Sequence, residues 1–321
     1  MNFVLRKLYE DGKRRDRNPG PGDLRAYNAR HAAVPLPQGL GEELDVSFET
    51  DGAHSLMTDI IIPEYAGDEK RPVLVTVHGG ALLFGDRKLN RLFRIEMAGM
   101  GCLVYSLDYR LLNETDFFGA VSDVCFGLEF VQETLHKYNG DPDRIHIVGE
   151  SAGGLLALYC ASMTGSETVR KQIGTYCPEV NIKSLILSSA MLYTTRLDYI
   201  AAVYKKDLYG ARCRDKEFMK YMNPEYPEVM KSLPPVCLTT GYGDFLRKVS
   251  LRYAQALEKA GHPYCLLDYD DGEKLPHAFA TLFPSFPESV DAMKKMMSMI
   301  NSDDEIPACR RSVFLNNEQK A

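Results

Sequence analysis

The sequence predicts an α/β fold, in which helices cover both faces of a mostly parallel central sheet. After residue 72, six short apolar runs recur along the chain, and runs of this length suit strands that are buried on both faces. The segments between these runs carry apolar residues at helical spacing. A chain of 321 residues, 45% of them apolar, is long enough to fill the core of such a domain.

An antiparallel hairpin is predicted before the parallel strands. Residues 11–41 are rich in Arg, Gly and Pro, and we interpret them as an irregular lead-in. Apolar and polar residues then alternate from Leu44 to Phe48, Asp51-Gly52 can form a turn, and an apolar run extends over residues 56–62. A strand, a turn and a second strand in this order are typical of a hairpin.

Strands and helices alternate through the rest of the chain. The predicted parallel strands are, in order, Val73–Val77, Cys102–Leu107, Ile145–Val148, Ile182–Leu187, Val236–Leu238 and Tyr264–Leu267. Helical spacing is clearest in residues 121–135 and 290–300. Because parallel strands need a crossover connection, usually a helix, we expect the carboxyl ends of these strands to meet at one edge of the sheet.

The interval Met191–Leu233 interrupts this alternation, because it is much longer than a normal crossover. It contains six of the 18 tyrosines: Tyr193, Tyr199, Tyr204, Tyr209, Tyr221 and Tyr226. An insertion of this kind often forms a lid over an active site. The alternative is a helical excursion into solvent whose tyrosines pack on each other. Residues 301–321 are polar, and we interpret them as a frayed tail.

Composition argues against several classes of protein. The net charge is −6, and Lys and Arg are mixed with Asp and Glu along the chain, so no basic surface for nucleic acid is expected. The eight cysteines lie far apart without a Cys-x-x-Cys pair, which argues against zinc or redox chemistry and favours buried free thiols. No secretory signal and no apolar run long enough to span a bilayer is visible, so we expect a cytoplasmic protein.

The motif Gly149-Glu150-Ser151-Ala152-Gly153 places a serine between a predicted strand and a predicted helix. In that setting the serine can occupy a sharp turn, and the glycines give its strained backbone the room that it needs. The N-terminus of the helix adds unpaired N–H groups and positive potential nearby. We therefore predict that Ser151 is a nucleophile. The alternative is a glycine-rich turn whose serine has no chemical role.

A serine nucleophile needs a general base, and the position relative to the sheet selects the histidine. His277 follows the last predicted strand and lies at the carboxyl edge, whereas His262 precedes that strand and lies at the opposite edge. His146 is inside a strand. Three further histidines lack a catalytic context: His31, His54 and His136. We predict that His277 is the base.

The acid that would orient this base should lie at the same edge of the sheet. Asp244 directly follows a predicted strand. The competing acids lie on the next strand or in the insertion: Asp268, Asp270 and Asp198. Asp244 would hold His277 in the right tautomer and stabilise its charged form. Its alternative role is to cap the helix that starts near Phe245.

Small residues at the end of the first parallel strand provide donors for an oxyanion. In the run His78-Gly79-Gly80-Ala81, the backbone N–H groups of Gly79, Gly80 and Ala81 can approach a substrate oxygen closely, and the N–H of Ala152 can supply another donor. Each such donor stabilises a tetrahedral intermediate by roughly 3 kcal/mol. We interpret His78 itself as a brace for the loop. The glycines lack the spacing of a phosphate-binding motif.

Together, these motifs resemble the hormone-sensitive-lipase-like family of esterases and lipases, in its microbial branch. The resemblance covers about residues 44–300. The residues that carry it are His78-Gly79-Gly80-Ala81, Asp108-Tyr109-Arg110-Leu111, Gly149-Glu150-Ser151-Ala152-Gly153-Gly154, Asp244 and His277. It implies an α/β-hydrolase fold with a helical cap, in which the triad follows the chain order Ser, Asp, His.

Two positions depart from the family pattern. Ala81 replaces the third loop glycine, which keeps the N–H donor but reduces the space, and Leu112-Asn113-Glu114 replaces Ala-Pro-Glu, which affects local packing. The family builds its cap from the N-terminal segment and from an insertion after the sixth strand. The resemblance therefore implies a catalytic domain formed by residues 44–190 and 234–300, with a cap formed by residues 1–43 and 191–233.

The function implied by the resemblance is that of a serine esterase. It would cleave short- to medium-chain acyl esters of small molecules through an acyl-serine intermediate, without a metal or another cofactor. The oligomeric state stays open, a homodimer included. The same triad could instead cleave amides or peptides. A third alternative is a ligand receptor on a hydrolase scaffold, although such receptors usually lack a member of the triad.

Overall fold

An eight-stranded sheet forms the centre of the protein. The computed structural model describes residues 1–17, 34–52, 54–64, 69–195, 199–270 and 275–302. The strands are β1 (Leu40–Glu49), β2 (Ser55–Pro63), β3 (Arg71–Val77), β4 (Leu103–Leu107), β5 (Gly140–Glu150), β6 (Ile182–Ser188), β7 (Val236–Gly241) and β8 (Tyr264–Tyr269). The helices are α1 (Phe3–Arg17), α2 (Arg91–Gly99), α3 (Phe117–Thr134), α4 (Ala152–Gly165), α5 (Glu167–Ile173), α6 (Tyr199–Tyr209), α7 (Lys216–Tyr221), α8 (Pro227–Lys231), α9 (Arg247–Ala260), α10 (Phe279–Leu282) and α11 (Pro287–Ile300), with 3-10 helices at Leu135–Tyr138 and Gly210–Arg214.

The sheet is mostly parallel, with the strand order β1-β2-β4-β3-β5-β6-β7-β8. β1 and β2 form an antiparallel hairpin, and β2 also runs antiparallel to β4. Strands β3 to β8 run parallel to one another. The predicted α/β class, the hairpin and the six parallel strands are therefore confirmed.

The register of the parallel strands brings their carboxyl ends to one edge. Val77 at the end of β3 pairs with Gly149, and Glu150 at the end of β5 pairs with Ser188. Gly241 at the end of β7 pairs with Tyr269 at the end of β8. The loops after β3, β5, β7 and β8 therefore leave the sheet side by side, which is the arrangement predicted for the candidate site residues.

Helices bury both faces of the sheet, which explains why its strands are apolar without interruption. In β3, Val73 and Val75 face a core layer that also contains Leu128 of α3. Their neighbour Leu74 faces the opposite layer, which contains Met293 of α11. Successive side chains of a strand point to opposite faces, so a strand covered on both sides must be apolar at every position.

The N-terminal segment differs from the sequence prediction. Residues 11–17, interpreted above as part of an irregular lead-in, belong to helix α1, and β1 starts at Leu40 rather than Leu44. Leu5 of α1 is fully buried, and Gly12 packs so closely against the ring of Phe84 that a Cβ there would overlap it. Tertiary packing thus overrides a composition that disfavours a helix. Residues 18–33 lie outside the described part.

The interval between β6 and β7 contains helices α6, α7 and α8. Four of its tyrosines are at most 8% exposed and pack in the main core: Tyr193, Tyr204, Tyr209 and Tyr221. This burial argues against the alternative of an excursion into solvent. Asp198 of this interval lies outside the described residues.

Two further observations concern the described residues only. None of their helices combines the length and the apolar character that a membrane crossing requires. The seven cysteines among them are free thiols, of which Cys213 alone is partly exposed, while Cys309 lies outside this set. The predicted tail, residues 301–321, is likewise described only as far as Ser302.

Candidate active site

Ser151 lies at a strained turn between β5 and α4. Its backbone angles, φ 49° and ψ −117°, are rare for a residue with a side chain. The flanking glycines are required by space, because a Cβ on Gly149 would lie 2.6 Å from the Cα of Gly154, and one on Gly153 would overlap the carbonyl oxygen of His78. This sharp turn holds the serine at the carboxyl edge of the sheet, as the motif predicts.

Three predicted side chains form a continuous hydrogen-bonded chain. Nε2 of His277 lies 2.9 Å from Oγ of Ser151. Nδ1 of the same imidazole lies 2.7 Å from Oδ1 of Asp244. Both distances are within the range that proton transfer requires. The structure therefore brings together Ser151, His277 and Asp244, which are 126 and 33 residues apart in sequence.

Asp244 is held as a buried carboxylate. Burial alone would raise its pKa, but hydrogen bonds from His277, from the Ser189 hydroxyl and from the N–H of Leu246 outweigh burial and lower the pKa. The hydroxyl of Thr240 also donates to Oδ2, at 2.8 Å. The bond to Leu246 resembles the predicted capping role, so the same carboxylate serves the turn before α9 and faces the imidazole.

Hydrogen bonds anchor the described residues on either side of His277 to neighbouring elements. Ala278 adopts the left-handed conformation, φ 54°, and its N–H donates to the Ser189 hydroxyl at 3.0 Å. On the other side, Arg247 makes two bonds of 2.8 Å to the carboxylate of Asp268 in β8. The bond to Ser189 thus fixes the backbone directly after His277, and the Arg247 pair ties the end of β8 to α9.

The loop after β3 presents backbone donors next to Ser151. Gly80 and Ala81 both have positive φ, 109° and 59°. Among the hydrogen bonds of the described residues, none uses the N–H of Gly80, Ala81 or Ala152. The N–H of Gly79, in contrast, is hydrogen-bonded to the carboxylate of Glu150. Of the four predicted oxyanion donors, three are therefore unpaired.

His78 has the environment of a brace rather than of a base. Its ring stacks on Tyr109 with 4.2 Å between centroids, and its Nδ1 lies 2.7 Å from the carbonyl oxygen of Gly79. Burial lowers the pKa of His78 and favours the neutral ring. The hydroxyl of Tyr109, from the predicted Asp108-Tyr109-Arg110-Leu111 motif, donates to the His78 carbonyl at 2.9 Å.

Glu150 connects the loop between β3 and α2, which contains Gly79 and Asn90, to helix α10. The amide of Asn90 donates to its carboxylate at 2.5 Å, and the hydroxyl of Thr281 donates at 2.6 Å. Together with the N–H of Gly79, these donors come from the loop after β3, from the residue before α2 and from α10. Burial raises the pKa of Glu150, and the hydrogen bonds offset this effect only in part.

The interval between β6 and β7 contacts the loop after β3. The hydroxyl of Tyr204 in α6 donates to the carbonyl oxygen of Ala81 at 3.0 Å. Helix α1 lies next to α6. The side-chain amide of Asn2, directly before α1, donates to the Val203 carbonyl and to the Asp207 carboxylate of α6, both at 2.6 Å. These contacts place α6 and α1 on the oxyanion loop side of the site.

The remaining predicted candidates lie elsewhere. His146 is buried in β5, 2.7 Å from the hydroxyl of Ser184, and burial lowers its pKa to about 3. His262 contacts the carbonyl oxygen of Pro234 at the opposite edge, and His54 is exposed. His31 lies outside the described residues. Within those residues, no cluster of three or more His, Cys, Asp or Glu side chains has the geometry of a metal site.

Sequence reasoning missed three polar side chains that organise the site: Asn90, Thr281 and Tyr204. Each bonds a partner at least 60 residues away in sequence, so no local pattern reports the contact. Asn90 offers the one available signal, because Asn directly before a helix usually caps it. Here its side chain leaves α2 uncapped and donates to Glu150 instead.

Comparison with known proteins is consistent with this geometry. A family model described as alpha/beta hydrolase fold matches residues 74–281. An AB hydrolase superfamily protein of Schizosaccharomyces pombe is 24% identical over 290 residues, which cover 85% of this chain and 84% of that protein. Esterase LipI of Mycobacterium tuberculosis is 26% identical over 256 residues, which cover 78% of this chain and 79% of that protein.

A plant relative is longer than this chain. A probable isoprenylcysteine alpha-carbonyl methylesterase of Oryza sativa subsp. japonica is 29% identical over 227 residues, which cover 66% of this chain. The chain spans about half the length of that relative, 53%.

Among solved structures, esterase B of Lactobacillus rhamnosis, inhibited with a C4-C4 tributyrin phosphonate, superposes with a TM-score of 0.78. Its sequence is 22% identical, and the superposition covers 94% of this chain and 95% of that chain. At this level of identity, the likeness shows a common fold.

Proposed function

The chain belongs to the alpha/beta hydrolase fold family, in its hormone-sensitive-lipase-like branch, and on this premise we propose that it is a serine esterase. The proposed reaction is hydrolysis of carboxylic esters of small molecules. One observation carries the proposal: Ser151, His277 and Asp244 form an uninterrupted hydrogen-bonded chain at the carboxyl edge of the sheet. That arrangement is the one that activates a serine hydroxyl for attack on a carbonyl carbon.

In the proposed acylation step, Oγ of Ser151 attacks the ester carbonyl carbon while its proton passes to Nε2 of His277. Asp244 keeps the Nδ1 proton of the imidazole in place and stabilises the imidazolium that forms. When the tetrahedral intermediate collapses, the bond between the carbonyl carbon and the alcohol oxygen breaks. His277 returns the proton to the leaving oxygen, so a neutral alcohol departs and an acyl-serine remains.

The negative oxygen of the intermediate needs donors that are already in place. The unpaired N–H groups of Gly80, Ala81 and Ala152 support this assignment. The N–H of Gly79 bonds Glu150 instead. In this proposal Gly79 anchors the loop and leaves it room, and it does not donate to the oxyanion. Preorganised donors of this kind commonly account for a factor of about 10² to 10³ each in turnover.

Deacylation repeats these roles with water. A water molecule gives its proton to His277 and attacks the acyl carbon, and the bond to Oγ of Ser151 then breaks. The proton returns to Ser151, so the net change is one ester and one water converted to one acid and one alcohol. We propose acyl groups of short to medium length, in keeping with the C4-C4 phosphonate that inhibits the related esterase B.

We also propose that α1 and the interval between β6 and β7 form a cap over this site. Support comes from the hydrogen bond between Tyr204 and Ala81, and from the bonds between Asn2 and the end of α6. A cap built on these contacts would shape the acyl pocket while it steadies the oxyanion loop.

The proposed function is tested with 4-nitrophenyl acetate and butyrate. Ser151→Ala should abolish turnover while circular dichroism shows a folded protein, and Ser162→Ala, at a buried position of the helix α4 that follows Ser151, serves as the matched control. Amide analogues with the same acyl groups should react much more slowly than the esters. Retained turnover in Ser151→Ala, or faster cleavage of the amides, would contradict the proposal.

A further inference from the structure

Phe245 is an apolar side chain left in solvent next to the site. It follows Asp244 in the turn between β7 and α9, and 75% of it is exposed. Its ring lies over the imidazole of His277, with 4.2 Å between the centroids and 31° between the planes. Single exposed apolar side chains are common on protein surfaces, but this one contacts the predicted base, which is the reason to ask what its open surface could bind.

A purely structural role accounts poorly for this ring. Both nitrogens of His277 already have partners, Ser151 and Asp244, and the loop is fixed through Ala278 and Ser189. Phe245 covers one face of the imidazole but leaves three quarters of its own surface open. Covering that surface with an apolar group of a ligand is favourable, because it removes apolar surface from water.

The proposed mechanism determines which part of a substrate comes close to Phe245. His277 must deliver its proton from Nε2 to the oxygen of the leaving alcohol, so that oxygen lies within hydrogen-bond distance of Nε2. Nε2 belongs to the ring on which Phe245 is stacked. The carbon atoms of the alcohol therefore leave the reacting centre beside the phenyl ring, whereas the acyl chain extends from the other side of the carbonyl carbon.

We propose that Phe245 is a specificity-determining residue that selects esters of apolar alcohols, aromatic ones above all. The inference rests on the proposed function of Ser151 and His277. A benzyl or similar group would pack on the exposed phenyl ring in the offset or edge-to-face geometry that aromatic pairs prefer. A polar alcohol such as ethylene glycol would be desolvated there without a hydrogen-bond partner from this side chain.

The timing of the reaction gives this proposal a distinctive signature. The alcohol departs with the first proton transfer, so esters that share an acyl group pass through the same acyl-serine. Selection by Phe245 therefore acts on acylation and appears in kcat/KM, whereas the rate of acyl-serine breakdown is common to all alcohols.

The test uses butyrate esters of benzyl alcohol, ethanol and ethylene glycol with wild type, Phe245→Ala and Phe245→Leu. The ratio of kcat/KM for benzyl to ethyl butyrate should fall about tenfold in Phe245→Ala, and less in Phe245→Leu. Tyr242→Ala, which removes the other exposed aromatic side chain of this turn, is the matched control and should keep the ratio. The breakdown rate of the butyryl-enzyme should be the same for the three esters within each variant.

Two results would overturn the proposal. If Phe245→Ala lowers kcat/KM for all three esters by one factor, the ring positions His277 and does not select the alcohol. If Phe245→Ala changes kcat/KM for none of the three esters, the ring does not contact the alcohol. Turnover that survives in Ser151→Ala would instead contradict the proposed function itself, so the two failures are distinguishable in one set of assays.

Discussion

Asp244 is buried, yet four hydrogen-bond donors surround its carboxylate: His277, Ser189, Leu246 and Thr240. The bonds from His277, Ser189 and Leu246 keep the pKa of Asp244 below its ordinary value despite burial. A carboxylate that stays charged at neutral pH fixes the tautomer of the base, which is the main requirement for a serine triad. For the proposed activity, the charge on Asp244 therefore matters more than the distance between Asp244 and Ser151.

Replacing Asp244 with Asn should leave the fold intact and lower kcat by a factor on the order of 10³ to 10⁴, because the amide favours the wrong tautomer of His277. Steady-state kinetics with 4-nitrophenyl butyrate measure this loss. Asp270→Asn removes the same charge from an acid that contacts Arg247 and is the matched control, for which a much smaller effect is expected. Equal losses in both variants would argue against Asp244 as the triad acid.

Asp244 should also affect stability with a defined sign. Its pKa is lower in the folded protein than in the unfolded chain, so its contribution is present above the unfolded pKa and is lost as pH falls through the folded pKa. The difference in Tm between wild type and Asp244→Asn should therefore shrink on acidification. Thermal unfolding at a series of acidic pH values tests this, and a difference that grows toward low pH would contradict the assignment.

Glu150 should behave in the opposite way. Burial raises its pKa, so the folded protein holds this proton to a higher pH than the unfolded chain does. Wild type should lose stability relative to Glu150→Gln as pH rises through the folded pKa, since ionisation then leaves a charge in the core. Tm values of both proteins across this range measure the effect, and the exposed Glu228→Gln controls for the loss of one charge. A difference that does not change with pH would contradict a protonation change at Glu150.

Sequence reasoning identified Ser151, Asp244 and His277 because one rule, the position after a parallel strand, applies to each of them. It missed Asn90 and Thr281, whose contacts with Glu150 span 60 and 131 residues and depend on how α2 and α10 pack. Nothing in the loop sequence indicated the hydrogen bond between the N–H of Gly79 and Glu150 either.

At the element scale, the bond from Tyr204 in α6 to Ala81 links the interval between β6 and β7 to the oxyanion loop. Ala81 and Leu82 both have positive φ, 59° and 58°, which non-glycine residues rarely adopt. A strained loop needs external contacts to keep its geometry. Tyr204 supplies one of them, which explains how a helix remote in sequence can influence the proposed transition-state donors.

Tyr204→Phe should therefore lower kcat about threefold to tenfold with little change in KM, because a lost hydrogen bond of roughly 0.5 to 1.5 kcal/mol loosens donors that act in the transition state. Tyr209→Phe is the matched control, since its hydroxyl bonds Thr194 in the same interval and does not reach the loop. Kinetics with 4-nitrophenyl butyrate separate kcat from KM. A change confined to KM would assign Tyr204 to substrate binding instead.

Elements were predictable where one strong periodic pattern specified them. The six parallel strands were predictable because a strand that is covered on both faces must be apolar at every position. Val73 and Val75 face one layer of the core, and Leu74 faces the other. Helix α1 was not fully predictable, because its second half is rich in charged residues and contains Gly12. Its stability comes from contacts with α6 and with the loop after β3, such as the packing of Gly12 against Phe84.

At the scale of the whole molecule, the site depends on a core with two layers that hold the strand ends in register. Leu128→Ala in α3 removes a fully buried side chain and should lower the free energy of unfolding by about 2 to 5 kcal/mol. Val290→Ala, at a partly exposed position of α11, should cost much less. The chain has no Trp, so urea unfolding followed by far-UV circular dichroism is the suitable measurement. Similar losses in both variants would contradict the described core.

The class of fold was predictable for the whole molecule, since alternating strands and helices admit few arrangements. The identity of the substrate was not, because in our proposal it depends on the side chains of α1, of the interval after β6 and of the turn at Phe245. Those surfaces come from distant parts of the chain, and their relative positions are set by packing rather than by any local pattern.

The central claim, that Ser151 carries the acyl group, is tested most directly by trapping the intermediate. Wild type is mixed with 4-nitrophenyl butyrate, quenched in acid during turnover and digested for mass spectrometry. We predict one butyryl group on the peptide that contains Ser151, and no adduct in Ser151→Ala. A butyryl group on another residue, or turnover by wild type through a pathway in which Ser151 stays unmodified, would contradict the account.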